Sequence, residues 1–380
     1  MSTRIAAFNV ENLFDRAKAF NAPPHVSAQV QADLGALNAL FEKDIYSAQD
    51  KQEMVRLIND LGMSKSDTGP FVILRQIRER VVRRPRNNGP MEIIQNGRDD
   101  WVGWCELKTE SVNEIAIENT GRVIRDVNAD ILAVVEAENR LVLKLFSDQV
   151  LARVNGQPYE QVMVIDGNDM RGIDVGVMTR NGAAIDLMRS HIHDLKADGE
   201  PIFSRDCPEY RIVTAGGNAL WVLPNHFKSK YGGNDPASRA KRTAQSARAA
   251  AIYEALIAAG EANVVILGDL NDTPDAGELA PLLQDTDLRD VSEHASFTAP
   301  AFNPAAHPGK GTFGLGNDGD KIDYLLLSPA LFARVTDSGL FRKGAWPGSR
   351  PQRWEVYPEL TRKVHVASDH HVIWVDLDLD

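Results

Sequence analysis

The segment Asn263-Val-Val-Ile-Leu-Gly-Asp-Leu-Asn-Asp272 contains the pattern that decides the fold. Its short apolar run, rich in β-branched residues, predicts a buried strand over 263–268. The strand ends at Asp269, and Asn271 follows two residues later. Strand ends are rigid and open outward, so they are places where sheet proteins hold reactive side chains. The same segment is also typical of a plain strand followed by an Asx turn.

Similar strand patterns recur on both sides of this segment and alternate with helical ones. They lie at 4–10, 130–135, 161–165, 174–179, 219–225, 322–327 and 371–377. Helical periodicity is present at 111–128 and at 237–259, where Gly260 predicts the end of the helix. This alternation predicts a mixed α/β chain.

A block of about 100 residues interrupts the alternation. Helical patterns at 27–43, 48–62 and 70–84 precede turn residues at 85–90, and 91–107 resembles a short hairpin. We therefore predict a single domain over 1–380 with a largely helical insertion at about 16–110. The insertion is a candidate lid, partner surface or buttress, and its arginines are compatible with a role in substrate binding.

The composition is that of a globular protein without a membrane span. Apolar residues make up 43% and charged residues 25% of the 380 residues, and no apolar stretch reaches membrane-helix length. The two cysteines, Cys105 and Cys207, are too few for a disulfide framework and indicate a reducing compartment. Because Met-Ser-Thr-Arg leads directly into a strand pattern, we predict no signal peptide and a cytoplasmic location.

The formal net charge of −11 argues against a protein that coats nucleic acid, but the charge is uneven. Residues 75–86 contain six arginines and one glutamate, which gives a local net charge of +5. Residues 226–248 hold six Lys/Arg and one aspartate, again +5, which leaves −21 for the rest. Each run is compatible with a solvated helix face. The second run follows His226 closely, so we predict that Lys228, Lys230, Arg239 and Arg242 contact substrate phosphates.

The polar residues near the strand ends form a chemically consistent set. They are Asn9, Glu11, Glu136, His226, Asp269, Asn271, Asp323, Asp369 and His370. The set contains carboxylates, amides and imidazoles but no cysteine and no Gly-x-Ser-x-Gly elbow. Hard oxygen ligands suit Mg²⁺, Mn²⁺ or Ca²⁺. A phosphate ester requires this combination, because its cleavage needs charge neutralisation, an activated water and help for the leaving oxygen.

The order of these motifs resembles the endonuclease/exonuclease/phosphatase superfamily, the metal-dependent phosphoesterases related to DNase I. Phe8-Asn-Val-Glu-Asn-Leu-Phe-Asp15, Glu136-Ala-Glu-Asn139, Asn225-His-Phe-Lys-Ser-Lys230 and Arg242-Thr-Ala-Gln245 are similar to its bacterial predicted extracellular nuclease branch. The resemblance implies a four-layer α/β/β/α sandwich of two packed mixed sheets.

The resemblance also implies a role for each matching residue. Glu136 is the principal ligand of a Mg²⁺ (or Mn²⁺, with Ca²⁺ possible), and Glu11 and Asp369 are further metal carboxylates. Asn9 and Asn271 orient ligands and a phosphate oxygen, and Asp269 positions or activates the attacking water. His370, paired with Asp323, faces the scissile phosphate. His226 donates to the phosphoryl oxygen, and Arg171 is a second phosphate contact.

The chain departs from the family pattern at two places. Val135 stands where a glutamine is usual, and Arg171-Gly172 occupies the stretch where some nucleases carry a tyrosine, which argues against abasic-site repair. Three hypotheses remain: a nuclease acting on DNA or RNA, a phosphatase or phosphodiesterase acting on small or lipid phosphate esters, and an inactive scaffold that binds a partner through the insertion.

Overall fold

The computed structural model describes residues 2–11, 24–84, 89–108, 113–169, 172–230, 235–303, 305, 309–349 and 352–379. The chain divides into two compact units, which we call the sandwich unit (1–14 with 112–380) and the inserted unit (15–111). Among the described residues, no helix combines the length and apolar character needed to cross a membrane.

The elements are numbered along the whole chain. The strands are β1 (Ser2–Asn9), β2 (Val72–Arg78), β3 (Val82–Arg83), β4 (Glu92–Ile93), β5 (Val102–Leu107), β6 (Ile131–Ala137), β7 (Gln161–Ile165), β8 (Asp174–Thr179), β9 (Ala184–Arg189), β10 (Glu209–Val213), β11 (Ala219–His226), β12 (Val264–Asp269), β13 (Arg289–Asp290), β14 (Phe297–Thr298), β15 (Asp323–Leu327), β16 (Val335–Phe341) and β17 (Val372–Asp378). The helices are α1 (Pro24–Phe41), α2 (Ala48–Asp60), α3 (Glu114–Val127), α4 (Arg140–Leu145), α5 (Pro236–Ala258), α6 (Ala280–Leu283) and α7 (Pro329–Phe332).

Two mixed sheets form the centre of the sandwich unit. The first has the strand order β14-β16-β17-β1-β6-β8-β7, and the second has the order β13-β15-β12-β11-β10-β9. Each contains a parallel pair of strands that end at or next to predicted site residues: β1 with β6 in the first sheet, and β11 with β12 in the second. Because parallel strands point the same way, the polar residues at their carboxyl ends meet at one edge of each sheet.

The apolar run that begins at Val264 shows why the unit has four layers. All six residues of β12 are buried, because both faces of its sheet are covered. Val265 and Leu267 pack against the first sheet, whereas Val264 and Ile266 pack against Ile252 and other residues of α5. On the far side, α3 and α4 cover the first sheet. The four-layer α/β/β/α sandwich implied by the resemblance is therefore confirmed.

The ends of the two long helices follow from local chemistry. Asp235 caps α5 by accepting hydrogen bonds from two backbone N–H groups of the first turn, and Pro236 occupies the first helical position. The chain leaves α5 through Gly260, whose φ of +87° is costly for any residue with a Cβ. Asn128, also left-handed, ends α3. Both helices and all eight strand patterns predicted for the sandwich unit are confirmed to within three residues at each end, although 111–112 of the first predicted helix lie outside the described residues.

The inserted unit has a core of its own. α1 and α2 pack on the antiparallel pair β2–β5 and the short pair β3–β4 around Leu37, Met54 and Trp101. Trp101 is 1% exposed, and its indole N–H donates to the Tyr46 hydroxyl at 2.9 Å. The helices predicted at 27–43 and 48–62 are present as α1 and α2.

Two predictions for the insertion are wrong. Residues 70–84, expected to be helical, contain β2 and β3 instead, because Val72 and Leu74 alternate with more exposed residues and pair with β5, about 30 residues away. Residues 91–107 do not form a hairpin, since β4 pairs with β3 and β5 pairs with β2. Apolar residues in 71–81 fit both the helical and the strand period, and tertiary pairing decides between them. The insertion is therefore a mixed unit rather than a largely helical one.

Candidate active site

Three site residues lie side by side on neighbouring strands of the second sheet. His226 at the end of β11 is directly opposite Asp269 at the end of β12, and Asp269 is directly opposite Asp323 at the start of β15. Gly268 permits this approach, because a Cβ at that position would lie 2.2 Å from the carbonyl oxygen of Asn225. Residues more than 90 positions apart are thus brought to one edge by strand register alone.

Asp323 and His370 form a buried hydrogen-bonded pair. His370 Nδ1 lies 2.8 Å from Asp323 Oδ2, and the two side chains are 8% and 3% exposed. Since a carboxylate only accepts, Nδ1 carries the proton and Nε2 faces the site. Burial alone would lower the pKa of His370, but the charge and hydrogen bond of Asp323 outweigh it and raise that pKa well above its usual value. The pair therefore favours an imidazolium in a fixed orientation.

Asn9, at the end of β1, occupies the centre of the site. Its Nδ2 lies 3.2 Å from Asp269 Oδ2, 3.4 Å from His370 Nε2 and 3.5 Å from Glu136 Oε1, and the residue is 1% exposed. Its Oδ1 accepts the backbone N–H of Glu11. The amide is thus in contact with predicted site residues from both sheets, a position compatible with a residue that orients them.

His226 and Asp269 are arranged around the same space. His226 Nε2 lies 3.7 Å from Asp269 Oδ2 and 3.8 Å from Glu136 Oε1, which is longer than a hydrogen bond. Burial, reinforced by the charge of Asp323, raises the pKa of Asp269 to about 7. A carboxyl group with that pKa can exchange a proton with a bound water near neutral pH.

The carboxylates of Glu11, Glu136 and Asp369 carry an unbalanced negative charge. The Asp369 backbone N–H donates to Glu11 Oε2 at 3.0 Å. Reduced hydration of the Glu11 carboxyl and the charge of Asp369 raise the pKa of Glu11 to about 7, although Glu11 as a residue is largely exposed. Burial also raises the pKa of Asp369, and the charge of Glu136 contributes to both shifts. A hard divalent cation would relieve this repulsion, so the charges of the three residues are compatible with the predicted metal site.

Among the described residues, the group whose ligand atoms have the spacing of a metal site is a different one. Asp269, Asp323 and His370 place one ligand atom each within 4.8 Å of one another, and all three are buried. Because Asp323 already accepts the proton of His370 Nδ1, we regard that pair as a hydrogen-bonded unit rather than as two independent ligands.

Three site residues hold unusual backbone conformations at the strand ends. Glu11, Glu136 and Asn271 have φ of +50°, +66° and +55°, a region that residues with a Cβ rarely occupy. Glu136 lies at an irregularity in the β6–β8 register, between Val135 and Ala137. Asn271 is held by hydrogen bonds, with its N–H donating to Asp269 Oδ1 and its Nδ2 to the Phe227 carbonyl. The backbone is thus bent where side chains must turn into the site.

The four basic residues predicted to contact phosphate are mostly engaged with other groups of the protein instead. Lys230 pairs with Asp272, and Arg239 pairs with Glu278. Lys228 is half-buried and donates to the carbonyl of Ser229. Arg242 has no exposed side-chain surface and pairs with Asp272 at 3.0 Å. A side chain without any accessible surface cannot contact a substrate phosphate, so the position of Arg242 does not fit that role. Arg171 lies outside the described residues.

Arg242 instead joins α5 to two loops of the site. Its Nε donates to Asp272, directly after Asn271, and its Nη1 donates to the Lys228 carbonyl, two residues after His226. Three residues further along α5, Gln245 accepts the Lys228 N–H at 2.8 Å and is fully buried. Both the N–H and the C=O of Lys228, two residues after His226, are therefore hydrogen-bonded to side chains of α5.

We expect the Arg242→Lys substitution to lower kcat about 10- to 100-fold with little change in KM, because a single ammonium cannot hold both loops at once. A phosphate contact would instead raise KM in a salt-dependent manner. Steady-state kinetics at two salt concentrations distinguish a positioning role of Arg242 from a phosphate contact. Arg248→Lys is the matched control, since Arg248 lies on the same helix and pairs with Asp194.

Sequence reasoning assigned no role to two hydroxyl groups that organise the site. Ser368 Oγ donates to the Asn9 carbonyl and accepts the His370 N–H, which ties the end of β1 to the segment that leads into β17 in the same sheet. Thr312 Oγ1 accepts the backbone N–H groups of Ile322 and Asp323. Ser368 stands directly before Asp369 and His370, two predicted site residues, which was the available signal. Thr312 lies in a loop where the sequence carries no comparable signal.

This geometry agrees with the comparison to known families. Residues 92–343 match the profile of the endonuclease/exonuclease/phosphatase family, which covers more than half of the chain. The chain therefore belongs to that family, whose members are phosphoesterases, and its site contains a buried Asp/His cluster. No curated protein matches the sequence significantly.

Solved structures with similar folds include three proteins from Bacteroides, each 15% identical to this chain. They are a family member from Bacteroides thetaiotaomicron (TM-score 0.48, covering 70% of this chain and 89% of that one), one from Bacteroides vulgatus (0.49, 70% and 91%) and a mannosyl-6-phosphatase from Bacteroides thetaiotaomicron VPI-5482 (0.46, 70% and 91%). With TM-scores below 0.5, we draw nothing further from these similarities.

Proposed function

We propose that this protein is a divalent-metal-dependent phosphodiesterase that hydrolyses DNA or RNA. The observation that carries the proposal is the buried Asp323–His370 pair, whose Nε2 faces the same space as Asn9, Asp269 and His226. Cationic, amide and carboxylate groups converge there from the ends of strands in both sheets. Phosphate-ester cleavage needs this combination of groups, whereas the binding of an apolar ligand would not require it.

Each residue has a role that follows from its position. His370, held as an imidazolium by Asp323, contacts the phosphoryl group, and His226 donates to an oxygen on which negative charge builds. Asp269, with its pKa near 7, accepts a proton from the attacking water, and Asn9 keeps that carboxylate oriented at 3.2 Å. Glu11, Glu136 and Asp369 would hold Mg²⁺ or Mn²⁺, which supplies charge neutralisation and activates bound water.

A small phosphate ester is the second candidate substrate, and the basic run after His226 favours it. Lys230, Arg239 and Arg242 are paired with acidic side chains and so offer less attraction to a polynucleotide backbone than the sequence indicated. A compact substrate needs only the groups at the strand ends.

A cleavage panel separates the candidates. The substrates are single- and double-stranded DNA, RNA, an inositol phosphate and a sugar phosphate, each with Mg²⁺ or Mn²⁺ at low and moderate salt. The proposal expects the polynucleotides to be cleaved fastest. Faster turnover of a small ester would replace it with the phosphatase alternative. Absence of both cleavage and divalent-ion binding would favour an inactive scaffold.

A further inference from the structure

The outer face of the β2–β5 pair exposes an aromatic ring among arginines. Val72, Leu74 and Cys105 point into the core of the inserted unit, so their neighbours along each strand point to solvent. Trp104 is 43% exposed and Ile77 is 66% exposed. Arg75 lies directly opposite Trp104 in the strand register, on the same face.

A β-bulge adds a second arginine to this outer face. The register shifts between Gln76 and Arg78, so that Ile77 is the extra residue and Arg78 lies opposite Val102. Val102 is two residues from Trp104 and shares its side of the strand. Arg78 is therefore beside Ile77 on the outer face, and the exposed Arg80 follows two residues later.

Glu106 fixes the orientation of the two central side chains. One carboxylate oxygen accepts the indole N–H of Trp104 at 2.8 Å, and the other accepts Arg75 Nε at 2.8 Å. A ring and a guanidinium held by one carboxylate lose little further freedom when a ligand stacks on them, which favours binding.

We propose, resting on the nuclease function proposed above, that the β2–β5 outer face binds single-stranded nucleic acid. A base stacks on Trp104, and Arg78 and Arg80 contact the adjacent phosphates. Stacking on an exposed aromatic ring with nearby guanidinium groups is how proteins hold unpaired bases without reading their sequence.

The charges favour a polyanion over an acidic or apolar protein segment as the occupant. Across the part of the chain that the structure describes, neither Arg78 nor Arg80 has an ion-pair partner, in contrast to Lys230, Arg239 and Arg242. The inserted unit contains fourteen Lys/Arg and fourteen Asp/Glu, so its attraction for phosphate is local to this face. Among the described residues, the basic run of the inserted unit thus offers two exposed guanidinium groups, those of Arg78 and Arg80, to a phosphate backbone.

The experiment measures binding of a fluorescently labelled oligothymidylate of twenty nucleotides to the full chain. EDTA is present so that no hydrolysis occurs. We expect Trp104→Ala to weaken binding on the order of tenfold and Trp104→Phe to keep most of it. The Arg78→Ala/Arg80→Ala double variant should lower the slope of log Kd against log salt by about 1.4, as loss of two phosphate contacts predicts. Arg56→Ala is the control, because Arg56 is exposed on α2 and paired with Glu53 and Asp60.

The two arms of the test separate this inference from the proposed function. Unchanged binding by Trp104→Ala and an unchanged salt slope in the double variant would overturn the inference, even if the chain is a nuclease, and would leave a protein partner as the candidate ligand. Equal binding of a duplex by wild type and Trp104→Ala is expected, because paired bases cannot stack on the ring, whereas an equal loss for duplex and single strand would contradict recognition of unpaired bases. Trp104-dependent binding without hydrolysis in Mg²⁺ or Mn²⁺ supports the surface and contradicts the nuclease assignment. Thermal unfolding of each variant confirms that it is folded.

Discussion

Asp323→Asn is expected to lower kcat for a phosphodiester substrate by roughly 10²- to 10⁴-fold, with the fold preserved. Asparagine has nearly the same shape, but it removes the charge that holds His370 as an imidazolium and no longer requires a proton on Nδ1. Without that charge the pKa of His370 falls, because burial then acts with less opposition. The limb of the pH–rate profile that reports His370 should therefore move to lower pH.

The matched control for this prediction is Asp148→Asn, which removes an exposed carboxylate paired with Lys144 in the same unit. It should leave both kcat and the pH profile unchanged. An Asp323→Asn variant with wild-type turnover and an unshifted profile would show that the Asp323–His370 pair is structural.

Glu136→Gln is expected to abolish high-affinity divalent-ion binding and to lower activity by at least a hundredfold. Glutamine fills the same volume at the bent end of β6 but supplies a neutral oxygen, and a hard cation binds it far less well. Calorimetric titration with Mn²⁺ measures the binding, and hydrolysis at saturating metal measures the activity. Losing one of three clustered carboxylates should also lower the pKa of Glu11 and of Asp369.

Glu254→Gln is the control for this second prediction, since Glu254 is an exposed carboxylate on α5 far along the helix from the site loops. Wild-type metal affinity in Glu136→Gln would place the ion elsewhere, and the buried group of Asp269, Asp323 and His370 would then be the first alternative.

The centre of the sandwich unit was predictable because strands such as β8, β12 and β15 are buried on both faces. Runs such as 263–268 are apolar throughout, and their ends are marked by polar residues that the register then aligns, as with His226, Asp269 and Asp323. Local pattern and tertiary structure agree there, so sequence reasoning found these strands and most of the residues around His370, but it did not predict β9, β10 or β16.

The same reasoning failed where long-range pairing or burial decides the outcome. Nothing local distinguishes the strand at Val72–Arg78 from a helix, because its partner β5 lies about 30 residues away. Arg242 looked like a surface cation within a basic run, and only the fold shows that it is buried against Asp272. Charge runs report composition, whereas the availability of each charge depends on partners distant in sequence.

The central claim is that the Asp323–His370 site performs metal-dependent phosphodiester hydrolysis. The most direct measurement compares the hydrolysis of single-stranded DNA by wild type and His370→Ala, first in EDTA and then after addition of Mg²⁺ or Mn²⁺. The account predicts no turnover in EDTA, activity restored by metal in wild type, and a loss of at least a hundredfold in His370→Ala at saturating metal. Equal metal-dependent activity in both proteins, or activity that persists in EDTA, would contradict it.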